Sequence, residues 1–124
     1  MRYTVQVYVN VRDDGTFFLA GYRAGDPLAT APDLKLRVEA DDWHRACEVA
    51  WRVGNREGAD AEGTTWPRDV RSVSMGDVAL VAADGANAVV RYASAAMVGW
   101  QQIAAPTHFV PLAGTPATSR KGAP

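Results

Sequence analysis

Cysteine is almost missing from this chain. Cys47 is the only one in 124 residues, so no internal disulfide forms and the fold must rest on its own hydrophobic core. Histidine is nearly as scarce, and His44, His108 and Cys47 show none of the spacings by which zinc ligands are usually presented. Charge of one sign is lacking too. Thirteen basic and fourteen acidic side chains leave a net charge of -1, which excludes the broad basic field of a general nucleic-acid binder and the acidic excess of a DNA mimic. Only local patches of either sign remain open. No stretch approaches the roughly 18 uninterrupted apolar residues of a membrane-spanning helix. The first residues also lack the charged and then apolar pattern of a secretory signal. The expectation is a cytoplasmic protein with no metal and no cofactor.

What is present belongs to an ordinary globular domain: 48% hydrophobic and 22% charged residues, enough for one core without staples. Tyr3, Val5, Val7, Val9 and Val11 alternate with Thr4, Gln6, Tyr8 and Asn10, the period of a half-buried strand. The pair Asp14-Gly15 supplies a tight turn, which predicts a hairpin in which Val11 faces Phe18, Val9 faces Ala20 and Val7 faces Tyr22. That register puts Phe18, Ala20 and Tyr22 in the core and leaves Phe17 and Leu19 beside Tyr8 on the opposite face. Residues 24–33 read as a loop, and Leu34, Leu36, Val38 and Ala40 as a third strand with one wet face.

Asp41 or Asp42 caps a helix whose apolar side carries Trp43, Ala46, Cys47, Ala50 and Trp51. His44, Glu48 and Arg52 share its polar side, with Glu48 and Arg52 spaced as an ion pair, and Gly54 is a natural stop. Residues 55–65 lack periodicity and read as a mobile loop. Strands follow over 77–82, 88–93 and 97–103, with a turn at Asp84-Gly85. Pro106 and Pro111 limit 107–112 to an edge strand or an extended cover. The architecture expected is a single α+β domain over 1–112, mostly antiparallel, in the order β-β-β-α-β-β-β with one main helix on the sheet. Residues 113–124 read as a disordered tail.

Candidate chemistry is thin. Cys47 and His44 stand close on the helix, but Cys47 falls on the apolar stripe and His44 off it, which disfavours a thiolate-imidazole dyad. Asp13-Asp14 and Asp41-Asp42 sit where a turn and a helix start need oxygen acceptors. There is no phosphate-binding glycine loop and no G-x-S-x-G elbow. Lys35 and Arg37, joined by Arg23 and Arg91, could gather into a basic patch near Tyr8 and Phe17. In the turn Ser74-Met75-Gly76-Asp77, the Ser74 hydroxyl and the Asp77 carboxylate have the spacing of a capping box. They read as a structural turn that aims Val78, Leu80 and Ala82 into the core.

The run Arg71-Ser72-Val73-Ser74-Met75-Gly76-Asp77-Val78, approached by Trp66-Pro67 and followed by Met97-Val98-Gly99-Trp100-Gln101-Gln102-Ile103, resembles the YodL-like domain. The resemblance covers Trp66 to Ile103, less than a third of the chain. It departs from the family's pattern at Ala93-Ser94-Ala95-Ala96, where a tyrosine or an acidic group is common. The resemblance implies a module of phages, conjugative plasmids and integrated elements, and it carries over no catalytic residue. The functional expectation is therefore a non-enzymatic protein-interaction module that binds a host or element-encoded protein. A homodimer is a second kind of partner for it. The interface candidates are Tyr8, Phe17, Leu19, Trp66 and Arg71. The alternative is a nucleic-acid-associated accessory protein, and an enzyme is the third reading.

Overall fold

The alternation at the start of the chain builds β1 (Arg2–Asn10), which buries Tyr3, Val5, Val7 and Val9 on one face and leaves Thr4, Gln6 and Tyr8 partly exposed on the other. The computed structural model describes residues 1–13, 20–85 and 88–112. β1 is the centre of a six-stranded antiparallel sheet. One edge of it pairs with β4 (Val78–Ala83), which continues through β5 (Val90–Ala95) to β6 (Trp100–Ile103). Two strands share its other edge: β3 (Lys35–Glu39) runs along Arg2 to Gln6, and the two-residue β2 (Leu28–Ala29) along Val9 and Asn10.

Between β2 and β3 the chain leaves the sheet through a short 3-10 turn at Pro32–Leu34, and side chains close the gap. The Thr30 hydroxyl donates to the Val7 carbonyl at 2.5 Å, and the Gln6 amide donates to Thr30 Oγ1 at 2.7 Å and to the Ala31 carbonyl at 3.0 Å. The Val7 carbonyl thus keeps a partner where the neighbouring strand is interrupted.

The single main helix, α1 (Trp43–Gly54), packs on the sheet face that carries Val5, Val7, Leu36 and Val81. Asp42 is its cap, accepting from the Arg45 N–H at 2.9 Å. Ala46, Cys47, Ala50 and Val53 recur at helical spacing and are buried; being small, they let the helix lie close to the strands. Glu48 pairs with Arg45 at 3.2 Å rather than with Arg52. The three-residue spacing satisfies it one turn earlier than expected.

Gly54 ends the helix for a reason that does not depend on backbone freedom. A Cβ placed there would stand 2.2 Å from Val73 Cγ2, because the 66–73 segment crosses the helix end at contact distance and the Val73 N–H donates to the Gly54 carbonyl at 3.0 Å. Gly54→Ala is expected to cost about 1–3 kcal/mol of stability by overpacking, read as a lower urea midpoint. Trimming the obstacle in Gly54→Ala/Val73→Ala should recover part of that loss, and a double variant no better than the sum of the two single changes would contradict the clash.

Three local expectations change. Val9 pairs with Ala29 of β2 and Val7 with Ala79 of β4, not with Ala20 and Tyr22 of the expected hairpin. Ala20 is exposed and Tyr22 only half-buried, while Asp14 to Leu19, including Phe17, Phe18 and Leu19, lie outside the described residues. On β4 it is Ala79 and Val81 that enter the main core, whereas Leu80 and Ala82 face the other way, since antiparallel partners share a face and these two lie opposite Gln6 and Thr4. Finally, residues 55–65 form a loop held on the sheet. The Asp60 carboxylate accepts from the Arg37, Glu62 and Thr64 N–H groups at 2.7, 2.9 and 2.8 Å, and the Ala61 N–H donates to the Arg37 carbonyl at 2.8 Å. Burial raises the Asp60 pKa, but those donors outweigh it and the net shift is downward. The segment expected to be a tail, 113–124, is outside the described residues.

Candidate functional surfaces

The Ser74 to Asp77 turn is the meeting point of a buried polar network. Asp77 is fully buried, and its two oxygens accept four hydrogen bonds: Oδ1 from the Asn10 N–H at 2.7 Å and Arg71 Nη2 at 2.6 Å, Oδ2 from Arg71 Nη1 and the Ser74 N–H, both at 2.8 Å. Burial is the largest influence on its pKa and pushes it up, while Arg71 and the two N–H donors pull the other way. The Asp77 carboxylate accepts the Ser74 N–H of this turn, the Ser74 hydroxyl accepts from Arg71 Nη1 at 3.4 Å, and the expected strand follows. The network extends through Asn10, whose amide donates to Asp26 at 2.9 Å and to the Gly76 carbonyl at 3.1 Å, to the Arg12–Asp26 ion pair at 2.9 Å. It ties the end of β1 to the start of β4.

Two of the interface candidates belong to this scaffold. Trp66 is 4% exposed, packed in the core near Gly54, with its indole Nε1 donating to the Arg71 carbonyl at 2.8 Å. Arg71 reaches inward to Asp77 and to the Asn10 carbonyl. Neither offers its functional group to a partner surface. Tyr8 does lie on the second sheet face, and its ring meets Phe109 at 5.5 Å between centroids. Phe109 is delivered by an extended segment that joins β2: the Leu28 N–H donates to the His108 carbonyl and the Val110 N–H to the Leu28 carbonyl. Leu28 and Val78 are wholly buried yet stand apart from the main core cluster, which marks a small second core on this side. Pro106 to Val110 therefore covers one end of the second face.

Among the described residues the rest of that face is uncovered. Pairing places Lys35, Gln6, Leu80, Tyr92 and Ile103 in one row across the sheet, all at least partly exposed. A groove of about 470 Å³ runs along it between Tyr8, Thr30, Pro32, Lys35 and Leu80. On the helix side, a cleft of about 600 Å³ lies between α1 and the β5–β6 turn, with Trp51, Trp100, Met75 and Met97 as its apolar walls and Glu48 and Arg52 among its lining. Such apolar recesses with few polar groups suit binding.

The pieces proposed for chemistry do not assemble. Cys47 is fully buried and burial pushes its thiol up to about 12, while His44 is exposed and stacked on Trp43 at 3.9 Å. Among the described residues no group of three or more His, Cys, Asp or Glu side chains is placed to hold a metal ion. Native protein is accordingly expected to react with a thiol reagent near pH 8 only as fast as it unfolds, with full reactivity in denaturant. Rapid labelling of the native chain would contradict the burial.

The basic residues are dispersed as well. Arg37 is paired with Asp84 at 2.6 Å and donates to the Thr4 hydroxyl on the second sheet face, whereas Arg91 lies over the Trp43 ring at 5.5 Å on the helix face. The open second face and the buried turn could have been anticipated only in part. Tyr8 was legible from its alternation, but Leu80 and Tyr92 come to it through pairing alone. No family model, curated protein or solved structure matches this chain. Among the described residues no helix is long and apolar enough to cross a membrane.

Proposed function

We propose that this chain is a non-enzymatic protein-interaction module of a mobile genetic element, of the YodL-like kind, that engages a host or element-encoded protein through the second face of its sheet. The observation that carries the reading is that face: an antiparallel sheet with, among the described residues, its main helix on one side, and on the other a partly apolar row from Gln6 through Leu80 and Tyr92 to Ile103. The mobile-element origin rests on the likeness of Arg71 to Val78 and Met97 to Ile103 to that family. Phage or plasmid genes flanking this one would support it, and a metabolic operon would count against it.

The binding reading is tested by capture from host lysate with the wild-type chain and with Tyr92→Arg, which alters the open face without entering the core. A specific protein recovered by the first and lost by the second is the expected outcome. Equal recovery by both, or no specific protein with either, would reject the surface. Retention on nucleic acid that weakens steeply as salt rises would instead favour the accessory-protein alternative, because phosphate contacts release counterions. Pairing of Arg37 with Asp84 and the opposite placement of Arg91 weigh against that alternative.

A further inference from the structure

We infer that β6 is a dimerisation edge, at which two copies of this chain join their sheets through antiparallel pairing of Trp100–Ile103. The inference does not depend on the partner reading above, since it rests on the outer backbone groups of β6 rather than on the side chains of the second face, although Ile103 belongs to both. The two outer boundaries of the sheet are built differently. β3 carries Lys35, Arg37 and Glu39, and its edge is closed by Asp60 and Ala61 bonding to Arg37; β2 is closed by the His108 to Val110 segment. Charges and covering loops are the usual means of keeping a strand edge from pairing. β6 has neither. From Tyr92 to Thr107 there is no Asp, Glu, Lys or Arg, in a chain that is 22% charged. Among the described residues no backbone hydrogen bond reaches its outer side.

Hydrogen-bond alternation fixes which groups that edge presents. The Ala96 N–H donates to the Gly99 carbonyl, and Ala95, paired with Trp100, turns its own N–H and carbonyl toward Asp77 and Gly76. Ala95–Trp100 is therefore a pair without mutual bonds, Ser94–Gln101 is a bonded pair, and the alternation continues to Tyr92–Ile103. Gln101 and Ile103 spend their backbone groups on β5. Trp100 and Gln102 point theirs outward, with nothing to receive them among the described residues.

A second copy fits this pattern. Setting Trp100 against Gln102 of the second copy, and Gln102 against its Trp100, uses every outward group and places Gln101 on the two-fold axis, facing itself. A residue on such an axis must be self-complementary; an amide, with both donors and acceptors, is, and a charged group is not. The same register lays Met97 and Val98 alongside Ala105 and Ala104 of the second copy. Met97 and Val98 are 84% and 86% exposed, the most exposed of the large hydrophobic side chains described. A pairing of strands this short belongs to the weak end of interface sizes, so the dimer should form in a concentration-dependent way.

The test is the solution mass by light scattering over a dilution series. Wild type is expected to rise from the monomer mass toward twice that value, and Gln101→Lys, which opposes two like charges on the axis at an exposed position, should stay monomeric with an unchanged thermal midpoint. Mixing Gln101→Lys with Gln101→Glu should restore the doubled mass, and Gln101→Cys should form an intermolecular disulfide, Cys47 being buried. A wild type that remains at the monomer mass at every concentration would overturn the inference. So would a dimer that Gln101→Lys leaves intact, or a Gln101→Cys protein that does not cross-link.

Discussion

Asp77→Ala is expected to lower the unfolding free energy by about 3–5 kcal/mol, the usual cost of removing one partner from a buried ion pair. A domain of this size is stable by only about 5–15 kcal/mol, so the variant should be partly unfolded at ordinary temperature or melt far earlier than wild type. The size of the effect follows from what is orphaned. Arg71 loses both bonds of its guanidinium to the carboxylate, and the Asn10 and Ser74 N–H groups lose their acceptor in the interior. Asp77→Asn separates shape from charge, since the amide matches the carboxylate in size but presents only one oxygen to four donors. It should fall between wild type and alanine in urea denaturation. A variant within experimental error of wild type in both cases would mean that the turn is held by its backbone alone.

This turn was legible as a turn, but not as the centre of a network. The sequence shows Ser74 and Asp77 at a suggestive spacing, whereas Asn10 and Arg71 reach them from 67 and 6 positions away along the chain. Elements with strong periodicity were readable: β1 from its alternation and α1 from its apolar stripe and acidic cap. β2 was not, because two residues carry no period. The run Val78 to Ala83 is apolar throughout, so its pattern does not say which side faces the helix, and pairing with β1 decides it. Asp60, in a stretch read as a mobile loop, and Asn10, on the polar side of the β1 alternation, are buried, each meeting backbone or side-chain partners brought by another segment. The open face shares this property: Tyr92, Leu80 and Gln6 become neighbours only when three strands are paired.

Trp66 shows what such a correction means energetically. An interface tryptophan can be truncated with little cost to the free protein, but one that is 4% exposed leaves a cavity, and Trp66→Ala is expected to lose about 3–5 kcal/mol by urea denaturation. Trp66→Phe keeps most of the apolar contact while deleting the Nε1 bond to the Arg71 carbonyl, a loss of about 1 kcal/mol plus whatever the unfilled volume adds. That bond holds the stretch of chain from which Arg71 reaches Asp77, so the two sites are mechanically joined. In a double-mutant cycle, Trp66→Phe and Asp77→Asn should therefore be less damaging together than the sum of their separate effects, since the first already loosens what the second disconnects. Strict additivity would show instead that the indole and the buried carboxylate stabilise the fold independently, and would reduce Trp66 to a packing residue at the helix end.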